Sequence, residues 1–86
     1  MSQILKIEVP DDVLLGLQKE PEQLAAEMRV AAAVKWYEMA LLTQGRAAEL
    51  AGLSRAAFIN ELSRYGVSPF QETAEEALQT VKDLAG

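Results

Sequence analysis

A chain of 86 residues, half of them hydrophobic and 24% charged, supports one domain with a small core, since roughly 60–65% of the unfolded surface can be buried at this size. Cys and His are absent, which removes disulfides, thiol redox chemistry, His-ligated zinc and the Ser-His-Asp and Cys-His catalytic arrangements, and leaves oligomerisation as the route to further burial. The net charge of −5 disfavours nonspecific adhesion of nucleic acid to the whole surface, yet Arg46, Arg55 and Arg64 outnumber Glu49 and Glu61 over residues 44–64, the one net positive section.

The first residues, MSQILKIEVPDD, have no basic stretch of the kind that opens a secretory signal. The longest apolar stretch, around residues 28–42, is interrupted by Arg29, Lys35 and Glu38, so no membrane span and a cytoplasmic location are expected. Residues 3–9 alternate, with Leu5, Ile7 and Val9 on one face and Lys6 and Glu8 on the other, a period of two that predicts a short strand. A lone strand needs a partner for its backbone groups. The other strand-like piece, residues 67–70, is short and holds Pro69. Either the strand pairs with its counterpart in a second subunit, or it is an extended arm packed on its own helices.

Pro10-Asp11-Asp12 ends the strand and suits a helix start, giving a short helix over about 12–19 that Gly16 weakens. Pro21 fits the first position of the next helix, and Glu22 favours its positive end. That helix is predicted to run to about residue 42. Its polar positions Gln23, Glu27, Lys35 and Glu38 gather on one side. Leu24, Met28, Val30, Val34, Trp36, Met39 and Leu42 leave the rest apolar, and the small run 30–34 permits close approach of another helix. Such a helix is either the buried centre of a monomer or is shared with a second subunit; the short chain favours sharing.

Residues 44–63 carry the informative pattern, QGRAAELAGLSRAAFINELS. Thr43 can cap a first helix, and Ala48 is small where that helix crosses a second. Gly52 suits a tight turn at positive φ. Leu53 plugs the gap between the helices, Ser54 caps the second, and Phe58 and Leu62 face the core. These constraints match a helix-turn-helix. The outward face of its second helix would enter the major groove of an operator. There Arg55 can pair with guanine and Asn60 with adenine, Ser54 at the helix start suits a phosphate, and Ala56 and Ile59 offer apolar contacts. Ser63 and Arg64 lie on the same polar face, Arg64 also reading as a solvated residue at a helix end. Gln44 and Arg46 can reach backbone phosphate from the first helix. The thin positive charge predicts weak, salt-sensitive binding per subunit and a need for two. An ordinary helical hairpin without nucleic acid is the other reading of the same pattern.

Gly66 then suits a helix C-cap and Pro69 blocks re-entry. A last helix is predicted over about 73–84, with Ala74, Ala77, Leu78, Val81 and Leu84 on one stripe and Glu72, Glu75, Glu76 and Asp83 opposite. This acidic face reads as a solvated surface, or as a segment that occludes a cationic or metal-bearing site on a partner. The whole is predicted as one all-α domain with a short N-terminal β-strand: strand and dimerisation helix over 1–43, helix-turn-helix over 44–64, acidic helix over 65–86. No nucleophile–base pair, phosphate loop or ligand cluster points to an enzyme, a cofactor or a metal, and Asp11-Asp12 and Glu75-Glu76 read as helix-start charges.

Lys35-Trp36-Tyr37-Glu38, Ala47 to Ser54, Phe58 and Arg64-Tyr65-Gly66-Val67 together resemble a family of small prokaryotic proteins catalogued as uncharacterised and regarded as antitoxin-like. The resemblance covers roughly residues 4–70 and is most specific over 47–58. It implies a homodimer, a helix-turn-helix and, as is often the case in the family, a neighbouring PIN-domain nuclease toxin as partner. The chain departs from the family in a more apolar link over 38–42, where a polar, Gly-containing one is usual, and in a tail after Phe70 without a clear match. The functional expectation is a DNA-binding transcriptional regulator, the antitoxin of a toxin–antitoxin pair; the alternative is a helical homodimeric interaction module that binds no DNA.

Overall fold

The computed structural model describes residues 2–70, which form four helices: α1 (Asp11–Leu17), α2 (Pro21–Glu38), α3 (Gln44–Ala51) and α4 (Arg55–Arg64). The predicted helix over 73–84 lies outside the described residues.

Local chemistry sets the boundaries. Pro21 occupies the first turn of α2, and the Glu20 N–H donates to Gln23 Oε1 at 3.0 Å within a reciprocal capping box. Thr43 accepts from the Arg46 N–H at the start of α3, and Ser54 accepts from the Ala57 N–H at the start of α4. Gly52 (φ 72°) and Gly66 (φ 70°) end α3 and α4 in the left-handed region. In each case the following N–H reaches back five residues, Leu53 to Ala48 and Val67 to Leu62. The glycine and hydroxyl positions read from sequence all take their expected local roles.

The end of α2 differs from expectation. The helix stops at Glu38, and Ala40 takes φ 61° while its N–H donates to Tyr37 and the Leu41 N–H donates to Trp36. This is the same left-handed termination, built on alanine where glycine is the usual choice. Hydrophobic periodicity runs on to Leu42 because Leu42 is still needed at the core, but it arrives there after the chain has turned. Periodicity alone cannot separate those two routes.

The core gathers Ala33, Val34 and Tyr37 from α2, Ala47, Ala48 and Ala51 from α3, Phe58 and Leu62 from α4, and Val67 beyond it. Three alanines let the α3 backbone lie close to its neighbours, and the two large rings fill the space between. Tyr37 and Phe58 meet edge to face with centroids 6.1 Å apart. Arg29 of α2 adds a polar tie, donating from Nε to the Leu50 carbonyl at 2.8 Å. Its cation thus meets the negative end of α3, which has no basic residue in its own last turn. The apolar surface expected on α2 is divided: Leu24, Ala33, Val34 and Tyr37 are buried, whereas Met28, Trp36 and Met39 stay exposed.

The strand predicted over 3–9 is not formed; there is no strand among the described residues. One copy of the chain offers this segment no ladder, and residues 67–70 instead place Val67 in the core and turn. Nor does the segment pack on its own helices. Ile4, Leu5 and Ile7 are 90%, 81% and 65% exposed, and α1 buries no residue. Among the described residues no helix is long and apolar enough to cross a membrane.

Candidate nucleic-acid interface

The three-residue link Gly52-Leu53-Ser54 turns the chain so that the N-terminal ends of α3 and α4 border one open groove of about 730 Å³. Thr43, Gly45, Arg46, Ala48 and the carboxylate-bearing Glu49 line it from the α3 side, and Ser54 and Arg55 from the α4 side. Two helix N-termini at one groove supply partial positive charge without a cluster of basic side chains. Leu53, half-buried between them, holds the turn against the core as its sequence position suggests.

Phe58 and Leu62 anchor α4, so the opposite arc faces solvent. Ala56, Asn60, Ser63 and Arg64 are exposed along it, and Ile59 is half-buried at its edge. With 100° per residue, positions 56, 60 and 63 fall within one narrow strip. The strip is polar, short in side chain and nearly uncharged.

The arginines differ from one another. Arg46 is exposed and pairs with Glu49 at 3.3 Å; Arg64 is exposed, pairs with Glu61 at 2.8 Å and lies over the Tyr65 ring. Exposed pairs of this kind are weak and exchange readily for a phosphate partner. Arg55 is only part-exposed, and its Nη2 donates to Gln44 Oε1. Its Nε and Nη1 are buried and have no hydrogen-bond partner among the described residues.

Gln44 departs from its expected place. Its place at the start of the first helix predicts a surface phosphate contact, but it is 4% exposed and its amide is committed inward, Nε2 donating to the Pro69 carbonyl at 3.3 Å. The physical reason is the demand of its neighbours: the Arg55 head needs an acceptor, and the Pro69 carbonyl, already accepting from Tyr37, has a second lone pair to fill. Ser54 stands exposed at the groove with its hydroxyl engaged in the helix cap. The structure places Arg46, Ser54 and Arg55 at the groove, Ala56, Asn60 and Ser63 on the strip, and Ile59 and Arg64 beside it. Sequence reasoning missed Gly45 as a groove residue and Arg29 as a cap for α3. No local pattern marks Arg29, because its partner Leu50 lies 21 residues along the chain.

The family model described as "Uncharacterised protein family (UPF0175)" matches residues 1–86. A relative from Aeropyrum pernix, named "UPF0175 protein", is 34% identical over 86 residues, covering 98% of this chain and 92% of its own. No solved structure matches the chain.

Proposed function

The chain belongs to the uncharacterised protein family UPF0175, and we propose that it is a DNA-binding transcriptional regulator that acts as a homodimer through a helix-turn-helix formed by α3 and α4. The observation that carries this reading is the meeting of two helix N-termini, Arg46 and Arg55 at one groove beside the exposed strip Ala56–Asn60–Ser63. The groove supplies a seat for the phosphate backbone, and the strip supplies short side chains that can approach base edges. Asn60 is the side chain with the bidentate geometry for adenine; Arg46 and Arg64 trade their exposed glutamates for phosphates. The resemblance over residues 47–58 supports the narrower role of antitoxin, in which a PIN-domain nuclease is the second partner and DNA binding regulates the pair's own expression.

The test is binding to the DNA upstream of its own reading frame, against a shuffled fragment of equal composition, at about 100 mM salt. A specific regulator prefers its own site by about a thousandfold or more. Equal binding to both fragments, or none to either, sinks the proposal and favours the interaction module that holds only proteins. Asn60→Ala is the cleanest variant, since Asn60 is exposed and its side chain makes no hydrogen bond among the described residues. Arg55→Ala is less clean because it also removes the tie to Gln44.

A further inference from the structure

We infer that residues 4–10 form an antiparallel two-stranded ribbon with the same residues of a second copy of this chain, in the register centred on Ile7. The inference deepens the two-copy part of the proposed function and does not rest on DNA being bound. It starts from an unspent pattern: Leu5, Ile7 and Val9 alternate with Lys6 and Glu8, yet Leu5 and Ile7 lie exposed and residues 4–9 make no backbone hydrogen bond among the described residues. Neither Lys6 nor Glu8 has an ion-pair partner there.

Self-pairing engages alternate backbone groups, the apolar side chains and both charges in one arrangement, and one register does so without conflict. In an antiparallel pair, directly opposed residues share a face. With Ile7 opposite Ile7, Leu5 faces Val9 and Val9 faces Leu5, so one face is wholly apolar. On the other face Lys6 meets Glu8 and Glu8 meets Lys6, two opposite-charge pairs related by the twofold axis. Centring the pair on Lys6 or on Glu8 sets like charges against each other. Centring it between two residues sets charged side chains against apolar ones and loses the face entirely. Pro10, which has no N–H to donate, stops the ladder at its end.

A two-stranded ribbon is marginal alone and needs a surface beneath its apolar face. Val13 and Leu17, four residues apart on one face of α1 directly after the ribbon, are 42% and 50% exposed. A helix that buries nothing in one copy is the natural support for a ribbon that exists only in two.

The experiment uses the full chain, which has no cysteine, so that an introduced thiol is unique. Single cysteines at positions 5 to 9 are oxidised rapidly and the covalent dimer is quantified. Cross-linking is expected to peak at Ile7→Cys, to fall at Lys6→Cys and Glu8→Cys, and to be lowest at Leu5→Cys and Val9→Cys; Leu5→Cys mixed with Val9→Cys gives a heterodimer. In parallel, sedimentation of Lys6→Glu shows a dimer dissociation constant raised about tenfold or more, and the double exchange Lys6→Glu with Glu8→Lys restores it. The segment lies outside the helical core, so the helical circular dichroism signal of every variant should match the wild type. A flat or displaced cross-linking profile, a wild-type dissociation constant for Lys6→Glu, or a chain that is monomeric at tens of micromolar overturns the ribbon. Specific DNA binding by a chain without the ribbon would leave the regulator reading standing, and a ribbon dimer that ignores DNA would leave this inference standing.

Discussion

Arg55 and Gln44 join the N-terminal ends of α4 and α3 through one charged hydrogen bond, Nη2 of the arginine donating to the glutamine Oε1. The glutamine passes the connection on to the Pro69 carbonyl, so the groove is tied to the turn beyond α4. Among the described residues two guanidinium nitrogens are buried without a partner, a costly arrangement for stability alone. Gln44→Ala, which strips the head of its acceptor, is expected to destabilise the fold by about 2 kcal/mol. Arg55→Met removes the cation and keeps much of its stem, and should cost less than Gln44→Ala or even stabilise, while DNA affinity falls. Urea unfolding of the two variants, read beside DNA binding, separates the outcomes. If Arg55→Met proved the more destabilising of the two, the arginine would be a structural strut.

Tyr37 tests the same network from the core side. Its hydroxyl donates to the Pro69 carbonyl at 2.8 Å, while its ring keeps Phe58 in edge-to-face contact. Tyr37→Phe preserves the ring contact and leaves the Pro69 carbonyl its bond from Gln44, so a loss of about 1 kcal/mol is expected. Phe58→Ala opens a cavity at a fully buried site and should cost about 3–5 kcal/mol, much of the stability of so small a domain. Thermal melts showing equal losses for the two would place the importance of the pair in the hydroxyl.

How far the sequence discloses this arrangement depends on the range of the interaction. Thr43, Gly52, Ser54 and Gly66 act on backbone within a few residues, so their identities announce the helix ends. Gln44 and Arg29 are decided by partners elsewhere in the chain, Pro69 and Leu50, and no spacing rule reaches that far. Tyr37 is wholly buried although its hydroxyl and its place beside Trp36 gave no hint of which aromatic would turn inward. Residues 3–9 show a third case. Their alternation is unmistakable, but a strand is a property of two segments, and one copy of the chain supplies only one.

Ala40 and Gly52 make a pair of opposite sign. Both hold a left-handed backbone at the end of a helix, but Ala40 carries a Cβ there and Gly52 does not. Ala40→Gly should therefore stabilise by up to about 1 kcal/mol, the relief of left-handed strain exceeding the added freedom of the unfolded chain. Gly52→Ala should destabilise by about 1–2 kcal/mol. Both are read as shifts in urea midpoint at unchanged slope. A destabilised Ala40→Gly would mean that the apolar contact of that methyl outweighs its backbone strain.

The exposed residues of the groove and strip divide into two kinds, and salt dependence tells them apart. Arg46 at the groove offers charge to a phosphate, which carries no sequence information. Its replacement by Ala should weaken binding to the specific and the shuffled fragment alike, and should lower the slope of log affinity against log salt by about 0.9 for each copy bound. The pair with Glu49 dilutes the loss slightly, because binding must first break it. Asn60 on the strip contributes no charge. Asn60→Ala should leave the salt slope unchanged, cost about 1–3 kcal/mol on the specific fragment only, and relax the preference at a single base pair of each half-site. If both substitutions lowered the slope equally, or if neither changed discrimination between fragments, α4 would not be the reading helix, and the nearly neutral strip from Ala56 to Ser63 would suit a protein surface better than a base edge.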